Sequence, residues 1–336
     1  MIYVVTAFLW ISTCLYLILG GADFGAGIVE LFSKKDFKEK TQKIMYDSIG
    51  PIWEANHMWL IIAIVILFVG FPKIYADVSN YLHIPLVFML LGIIARGTSF
   101  TFRNYDVIKD YWHKLYEVIF TYSSVVTPFF LGIIAGAMVS GSIDQNATNF
   151  LDAYIYSWLT WFNVSVGIFT VTMCGFLASV YSIQSTKIDE DIIVLRRRAK
   201  TYSALIFVAG GLVFIVSLWK GIPLYKWITA QYYGYIAVGL ATISIVLLLK
   251  DLKRGNDLMT KIYAGLIVMM ILFAASYSHF PNLVFFKDGT TLSLLKDFGA
   301  ESTINMLAWA LMLGSIFILP FFFYLMYAFN KRLRMD

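Results

Sequence analysis

Long apolar runs alternate with short polar segments along the whole chain. Each run has about 20 residues or more, and a helix that rises 1.5 Å per residue needs about 20 residues to cross the ~30 Å hydrocarbon core of a bilayer. The first run contains Gly20, Gly21 and Asp23, which predicts a kink or a helix that continues past the membrane surface. The pattern predicts about nine transmembrane helices, over 2–31, 50–71, 80–102, 118–140, 154–183, 201–219, 231–249, 261–280 and 304–329.

The composition supports this interpretation. Hydrophobic residues make up 60% of the 336 positions and charged residues 14%, whereas soluble domains have roughly 25% charged residues. The mean hydropathy is +0.74. A soluble chain of this length has too large a surface-to-volume ratio to hide so much apolar surface in one core, but lipid can solvate it. The predicted fold class is an all-α integral membrane protein.

Basic residues are distributed unevenly between the polar segments. Of the 26 Lys and Arg residues, 20 fall in one set of alternate segments, five fall in the other set, and Arg96 lies within a predicted helix. Cytoplasmic loops of membrane proteins are enriched in Lys and Arg, so the first set is predicted to be cytoplasmic. An odd number of helices then places the N-terminus outside and the C-terminus in the cytoplasm.

Several other classes of protein are disfavoured. The net charge of +5 does not indicate nucleic-acid binding, because the basic residues lie in short loops between helices. Cys14 and Cys174 lie within apolar runs and form no CxxC or CxxCH motif, so no disulfide, zinc site or covalently attached haem is predicted. Residues 1–4 have neither a basic segment nor a cleavage site, and we interpret them as the start of a retained helix.

The segments between the predicted helices have at most about twenty residues, which leaves no room for a soluble domain. We therefore predict two four-helix bundles and one peripheral helix. The first bundle covers 1–140, the second covers 141–290, and the ninth helix with a basic tail covers 291–336.

Ionisable residues within the predicted helices are the candidate functional residues, because a charge in lipid is costly and marks a functional site or a partner contact. With the orientation above, all of them fall in the cytoplasmic half. They are Asp23, Glu54, His57, Arg96 and Arg103. Glu54 and His57 are three residues apart and share a helix face. Arg96 and Arg103 are two turns apart on one face.

Two interpretations of these residues remain open. They can form a structural ion-pair network near the inner surface, with the arginine heads reaching water. They can also form a proton-conducting path open to the cytoplasm, since carboxylates and an imidazole exchange protons readily. A proton-coupled secondary transporter would use the same acids, but such transporters have repeat-related broken helices and sites near the midplane. Here a single kink is predicted.

The four histidines are the first candidates for haem ligands, because His, Met and Cys are the usual axial ligands. His83 and His279 fall near outer helix ends and His113 falls in an inner loop, so only His57 lies within a predicted helix near the acids. A haem with two histidine ligands needs two facing histidines at equal depth. The chain is therefore predicted to ligate no haem and no other metal by itself.

Four short stretches in the first third of the chain resemble one family. They are GGADFGAG at 20–27, IGPIWEANHMWLI at 49–61, FPKIYA at 71–76 and RGTSFTFR at 96–103. They are similar to the G-F-D-x-G-x-G, I-x-P-x-W-D-x-N-x-x-W-L-I, W/F-P-x-x-Y-A and R-x-x-x-F-x-x-R patterns of subunit II of the cytochrome bd-type quinol oxidases. Glu54 stands where that family commonly has Asp, and Ala22 replaces an aromatic residue.

The resemblance implies a bacterial plasma-membrane protein that works in a complex. Subunit I of that family carries haem b, haem d and the quinol site, and subunit II packs against it and supports a haem-loaded enzyme; a small third subunit is possible. The complex oxidises quinol and reduces dioxygen to water with protons from the cytoplasm. Asp23, Glu54 and His57 would then conduct protons, Arg96 and Arg103 would form a charge network, and Asn56 and Trp59 would provide polar support or line a gas route.

Overall fold

Helices account for most of this computed structural model, which describes residues 1–50, 53–105, 111–186 and 188–335. Apart from a short π-helical turn and a 3₁₀ turn, Ser182–Ser185, the other regular element is one small hairpin. The helices are α1 Ile2–Leu15, α2 Gly21–Leu31, α3 Lys35–Ile49, α4 Trp53–Gly70, α5 Pro72–Tyr81, α6 His83–Tyr105, α7 Tyr111–Ser140, α8 Phe150–Tyr154, α9 Trp161–Tyr181, α10 Asp189–Trp219, α11 Leu224–Thr229, α12 Tyr232–Arg254, α13 Asp257–Ser276 and α14 Glu301–Met335.

Nine segments of the described chain are long and apolar enough to cross a membrane. The first of them, Ile2–Leu31, joins α1 and α2 through the π-helical turn, and the other eight are formed by α4, α6, α7, α9, α10, α12, α13 and α14. The nine predicted helices are therefore confirmed in number and approximate position. The orientation of the termini stays a prediction.

Some helices extend beyond their apolar runs. The sixth run was predicted to begin at residue 201, whereas α10 begins at Asp189. Its first turn carries Asp189, Glu190 and Asp191, and negative side chains stabilise the N-terminal end of a helix through its dipole. Hydropathy detects only the apolar part of a helix. Polar turns outside the membrane are therefore not predicted from it.

The first span is irregular where the glycines predicted an interruption. A π-helical turn, Tyr16–Gly20, separates α1 from α2. Such turns are rare, and many of them lie next to functional sites. Three residues later α2 carries Asp23, which is fully buried.

Two glycines of α2 allow it to pack closely against its neighbours. A Cβ atom on Gly25 would collide with the carbonyl oxygen of Cys174 in α9, and one on Gly27 would collide with the Ser124 side chain in α7. Small residues let transmembrane helices approach with their backbones nearly in contact. The glycine-rich stretch is thus explained by close helix packing, and it places α2 in the middle of the bundle.

Helix α9 is the most buried of the nine spans and packs against α2, α7 and α10. The larger hydrophobic cluster accordingly combines residues from both predicted bundles, including Phe24 and Ile28 of α2 with Phe176 and Leu177 of α9. Extensive packing joins the two halves. The division into 1–140, 141–290 and 291–336 stays a prediction.

The end of the bundle opposite α3 is closed by loops and by the hairpin of β1 Asn282–Phe285 and β2 Thr291–Ser293, which pair antiparallel. One ion pair joins these loops to α5, and a second joins two of the loops to each other. Lys73 Nζ lies 2.8 Å from Asp297 Oδ1, and Lys287 Nζ lies 2.9 Å from Asp144 Oδ2.

The Lys73–Asp297 pair predicts a pH-dependent stability. The hydrogen bonds that Asp297 accepts from Lys73 and from the Ser293 backbone N–H hold the pKa of its carboxyl below the usual value. A lowered folded-state pKa stabilises the protein above the ordinary carboxyl pKa of about 3.9, and this contribution is lost as pH falls through the lowered value. Asp297→Asn should therefore lower the thermal unfolding midpoint at pH 7. The deficit should shrink as pH falls below about 4, and a deficit that stays constant down to pH 3 would contradict this account.

Candidate functional site

The centre of the site is a buried ion pair between α2 and α6. Arg96 Nη1 donates to Asp23 Oδ2 at 2.6 Å, and Arg96 Nη2 donates to Asp23 Oδ1 at 2.8 Å and to the Asp23 carbonyl oxygen at 2.7 Å. Both residues are at most 1% exposed. Two parallel charge-assisted bonds form a strong and directional pair, so Arg96 neutralises the charge of Asp23.

The remaining faces of the Arg96 guanidinium are also occupied. Its Nε donates to Ser124 Oγ at 3.1 Å, and Ser124 in turn donates to the Phe120 carbonyl oxygen at 2.7 Å. The rings of Phe24 and Phe120 lie 5.2 and 5.0 Å from its Cζ atom. Cations are attracted to aromatic faces at this range. These contacts fix Arg96, and Arg96 in turn fixes the Asp23 carboxylate.

His57 joins the ion pair from α4. Its Nε2 atom lies 3.3 Å from Asp23 Oδ2. The rings of Phe24, Tyr16 and Trp53 surround the imidazole with centroid distances of 5.7, 6.2 and 6.2 Å. Its Nδ1 is buried and has no hydrogen-bond partner in the described chain. The Nε2 atom of His57 thus contacts the carboxylate, and its Nδ1 atom is available to a further group.

Glu54 lies apart from this cluster. It is exposed, one turn before His57 on α4, and forms no ion pair within the described residues. The exposed side of α4 also carries Ile61, Val65 and Phe68, which follow Glu54 at intervals of 7, 11 and 14 residues and therefore share its face. The structure brings together Asp23, His57 and Arg96 and leaves Glu54 on the outer surface of the bundle.

Arg103 has a partner that the sequence did not predict. Its Nη1 lies 3.0 and 2.9 Å from the two carboxylate oxygens of Glu30, which is fully buried in α2. The missed signal was spacing: Glu30 follows Asp23 by seven residues, as Arg103 follows Arg96. Because both pairs repeat after two helical turns, α2 and α6 present matching acids and arginines along one seam.

A small cavity of about 10 Å³ lies within this seam. A space of this size holds about one water molecule. Its walls include both arginines and Asp23, together with Met45 and Tyr46 of α3. The polar groups of Asp23, Arg96 and Arg103 therefore line a space that can hold a single water molecule.

Asn56 and Trp59 are buried in α4 at 2% and 6% exposure. Asn56 Oδ1 and Trp59 Nε1 have no hydrogen-bond partner in the described chain. The ring of Trp59 meets that of Phe322 in α14 edge-on at 5.6 Å. Buried polar atoms without partners are unusual, and these two lie within one turn of His57.

Comparison with known proteins identifies the family. The model of the cytochrome bd terminal oxidase subunit II family matches residues 1–329. The chain belongs to this family. The resemblance in the four short stretches therefore extends over the whole bundle, and the chain is a multi-pass membrane protein like the family's bacterial members.

Individual relatives agree with the assignment. The chain is 29% identical over 196 residues to the cytochrome bd ubiquinol oxidase subunit 2 of Bacillus subtilis, covering 58% of this chain and 56% of that protein. It is 25% identical over 179 residues to the cytochrome bd-I ubiquinol oxidase subunit 2 of Escherichia coli, covering 51% and 46%. These two matches thus span about half the length of each relative.

Two further matches cover nearly the whole chain. A putative cytochrome bd menaquinol oxidase subunit II of Bacillus subtilis is 24% identical over 344 residues, covering 96% of this chain and 94% of that protein. A chain of the bd oxidase structure from Geobacillus thermodenitrificans superposes with a TM-score of 0.79 at 19% identity and covers 98% of both chains. The second match shows that the fold is shared.

The positions of the side chains that could ligate a metal are relevant to the haems of this family. Within the described residues, no group of three or more His, Cys, Asp or Glu side chains is arranged to hold a metal ion. The imidazole of His57 faces Asp23, and Nδ1 of His279 meets the Ala275 carbonyl oxygen. The four histidines lie on different elements, and no two of them form a facing pair of axial ligands within the described chain. That the chain ligates no haem by itself stays a prediction.

Proposed function

We propose that this chain is the subunit of a terminal oxidase that ligates no haem itself, in a complex that oxidises quinol and reduces dioxygen to water. Its membership of the cytochrome bd terminal oxidase subunit II family carries this proposal. The haem-bearing subunit I would hold haem b, haem d and the quinol, and this chain would stabilise that partner in the bacterial plasma membrane. A small third subunit and bound lipid fit the same assembly.

The exposed face of α4 is the surface that we assign to subunit I. A carboxylate exposed to lipid tails is costly, yet Glu54 is exposed on the same stripe as Ile61 and Phe68. A protein neighbour would cover the apolar side chains and supply a polar or basic group for Glu54. The stripe therefore suits a subunit interface better than a lipid surface.

We assign a second role to the chain, the delivery of protons from the cytoplasm to the partner's oxygen-reducing site. Asp23, His57 and Glu54 would form the path. His57 contacts Asp23 through Nε2 and has Nδ1 without a partner, and an imidazole can accept a proton at one nitrogen and release it from the other. Glu54 lies one turn away on the face assigned to subunit I. Arg96 and Arg103 would balance the charge of the acids.

Asn56 and Trp59 would line the space beside this path. Their unpartnered polar atoms suit polar support of the path, and the aromatic wall of Trp59 and Phe322 suits passage of a small apolar gas. We propose one of these two roles, polar support or a gas route, for Asn56 and Trp59, and no role for them in binding haem.

The test of the proton role is Glu54→Gln in the complete complex. We expect turnover to fall by about a hundredfold or more at neutral pH, as on loss of a general acid–base group, with normal haem content. Oxygen consumption with quinol and haem analysis of the purified complex are the measurements. Glu54→Asp should restore most of the rate because it keeps the acid, and Glu301→Gln, which neutralises another exposed acid, should have no effect.

The outcomes separate the alternatives. Normal turnover of Glu54→Gln with intact haem would remove Glu54 from the path, and loss of haem would instead indicate a structural role for Glu54. A proton-coupled transporter is disfavoured by the family membership. It would also show no haem d absorbance near the red end of the spectrum when the chain is purified with its partners.

A further inference from the structure

Basic residues are concentrated where α3 lies against the beginning of α10. The two segments concerned, 34–47 and 187–200, together contain ten Lys and Arg residues and six Asp and Glu residues. Three of the basic side chains are partly exposed and pair with acids. These pairs are Lys38 with Glu117, Lys40 with Asp191, and Arg196 with Asp257. The surface therefore keeps a positive charge after its own acids are counted.

Arg198 differs from these residues. Its side chain is half-buried and forms no ion pair with an acid in the part of the chain that the structure describes. Its Nη1 donates to Thr41 Oγ1 at 2.9 Å, and the ring of Phe37 lies 5.0 Å from its Cζ atom. A guanidinium has five N–H donors and keeps its charge. Because a cation held partly away from water without a counter-charge is costly, this position favours binding of an anion.

A second cation lies beside Arg198. Lys40 Nζ is 5.7 Å from the centroid of the same Phe37 ring, and its side chain is 41% exposed. Asp191 Oδ1 lies 2.6 Å from this ammonium group, which has three N–H donors. Asp191 balances one of the two cations. Arg198 and Lys40 together therefore keep both a positive charge and donors for a further group.

The position of Arg198 along α10 indicates which kind of anion fits. The apolar part of α10 begins at residue 201, three residues or about 4.5 Å further along the helix. On the neighbouring segment Phe32 is 72% exposed, and it precedes Ser33, whose Oγ contacts Thr41 Oγ1 at 3.4 Å. Exposed aromatic rings beside basic side chains are typical of surfaces at the boundary between headgroups and acyl chains. This level of the membrane favours a lipid phosphate over a soluble one.

We propose that Arg198 and Lys40 bind the phosphate group of an anionic phospholipid. The forked donors of a guanidinium match two oxygens of a phosphate, and basic pockets between transmembrane helices bind anionic headgroups. Thr41 and Phe37 hold the guanidinium in place, Lys40 adds the second charge, and Phe32 contacts the acyl chains. The site requires the membrane location of the chain and does not depend on the proposed oxidase activity.

The test uses the complete complex in nanodiscs of phosphatidylcholine with rising fractions of phosphatidylglycerol. The thermal unfolding midpoint of the wild type should rise with phosphatidylglycerol and then level off, since a ligand that binds the folded state stabilises it. Arg198→Gln should raise the half-saturating fraction by about tenfold or more, because it removes charged hydrogen bonds to the phosphate. Mass spectrometry of the detergent-purified complex should find one fewer retained phosphatidylglycerol molecule in this variant.

Arg197→Gln is the matched control. It removes the same charge from the adjacent position of α10, where the side chain is exposed, and it should titrate like the wild type. Equal weakening in both variants would mean diffuse attraction to a charged surface and would overturn the proposed site.

Two further measurements complete the test. Inorganic phosphate added to nanodiscs of pure phosphatidylcholine should leave the midpoint unchanged. If it instead stabilised the wild type as phosphatidylglycerol does, the site would bind soluble phosphate and the lipid assignment would be wrong. Thr41→Val removes the hydroxyl that holds Arg198 and should weaken the lipid titration several-fold. If Arg198→Gln does not assemble, an unchanged titration of Thr41→Val would overturn the proposal.

Discussion

Replacing Arg96 by leucine should prevent the oxidase complex from accumulating in a stable form. The substitution leaves the fully buried carboxylate of Asp23 without its two guanidinium hydrogen bonds. Removing one partner of a buried ion pair costs about 3–5 kcal/mol, a large share of the stability of a typical domain. The measurement is the yield and thermal unfolding midpoint of the detergent-purified complex.

A matched control and a double variant sharpen this test. Arg197→Leu removes an exposed arginine of α10 and should leave yield and midpoint nearly unchanged. Asp23→Leu combined with Arg96→Leu removes both charges, and buried pairs replaced by apolar residues are often close to neutral in stability. The double variant should therefore recover folding but not turnover. If Arg96→Leu alone were as stable as the wild type, the buried pair could not be the fixed centre of the site.

Replacing Gly25 by valine should have the second largest effect. A Cβ atom at this position would collide with the backbone carbonyl of Cys174, and a backbone atom cannot move aside as a flexible side chain can. Overpacking of a core typically costs about 1–3 kcal/mol and occasionally more. We expect the upper end of this range or beyond, because α2 must separate from α9 and thereby carry Asp23 away from Arg96.

Gly239→Val is the matched control for this substitution. Gly239 lies in the interior of α12, and apart from the backbone of its own helix and its chain neighbours no atom lies within 4 Å of an added Cβ. Valine costs an exposed helix no more than glycine does. Its midpoint should stay close to that of the wild type. Equal losses in the two variants would mean that helix propensity, and not the α2–α9 contact, determines the result.

The sequence predicted the membrane spans well because lipid imposes a simple rule on each of them separately. A segment of about 20 apolar residues must be a helix in a bilayer, since its backbone groups have no other partners there. The rule stops at the membrane surface. It therefore missed the polar beginning of α10 at Asp189 and the polar helix α3, whose stability depends on contacts with other helices.

The candidate site was predicted in part. The cost of placing a charge in lipid selected five residues, Asp23, Glu54, His57, Arg96 and Arg103. The structure brings Asp23, His57 and Arg96 of these into contact. Glu30 was overlooked since it lies near the end of a long run, where a charge can reach water. The exposed position of Glu54 depends on how α4 is rotated about its axis, and one sequence without its partner subunit does not determine that rotation.

The π-helical turn at Tyr16–Gly20 has an evolutionary consequence. A π turn accommodates about one residue more than the α-helix it interrupts, so a relative that lacks one residue in this short stretch would have an uninterrupted α-helix there, with Asp23 still facing Arg96. A deletion of one residue between Gly21 and Asp23 would instead turn the carboxylate away by about 100°. Single-residue gaps in alignments of the family should therefore concentrate before the glycine pair and be excluded after it.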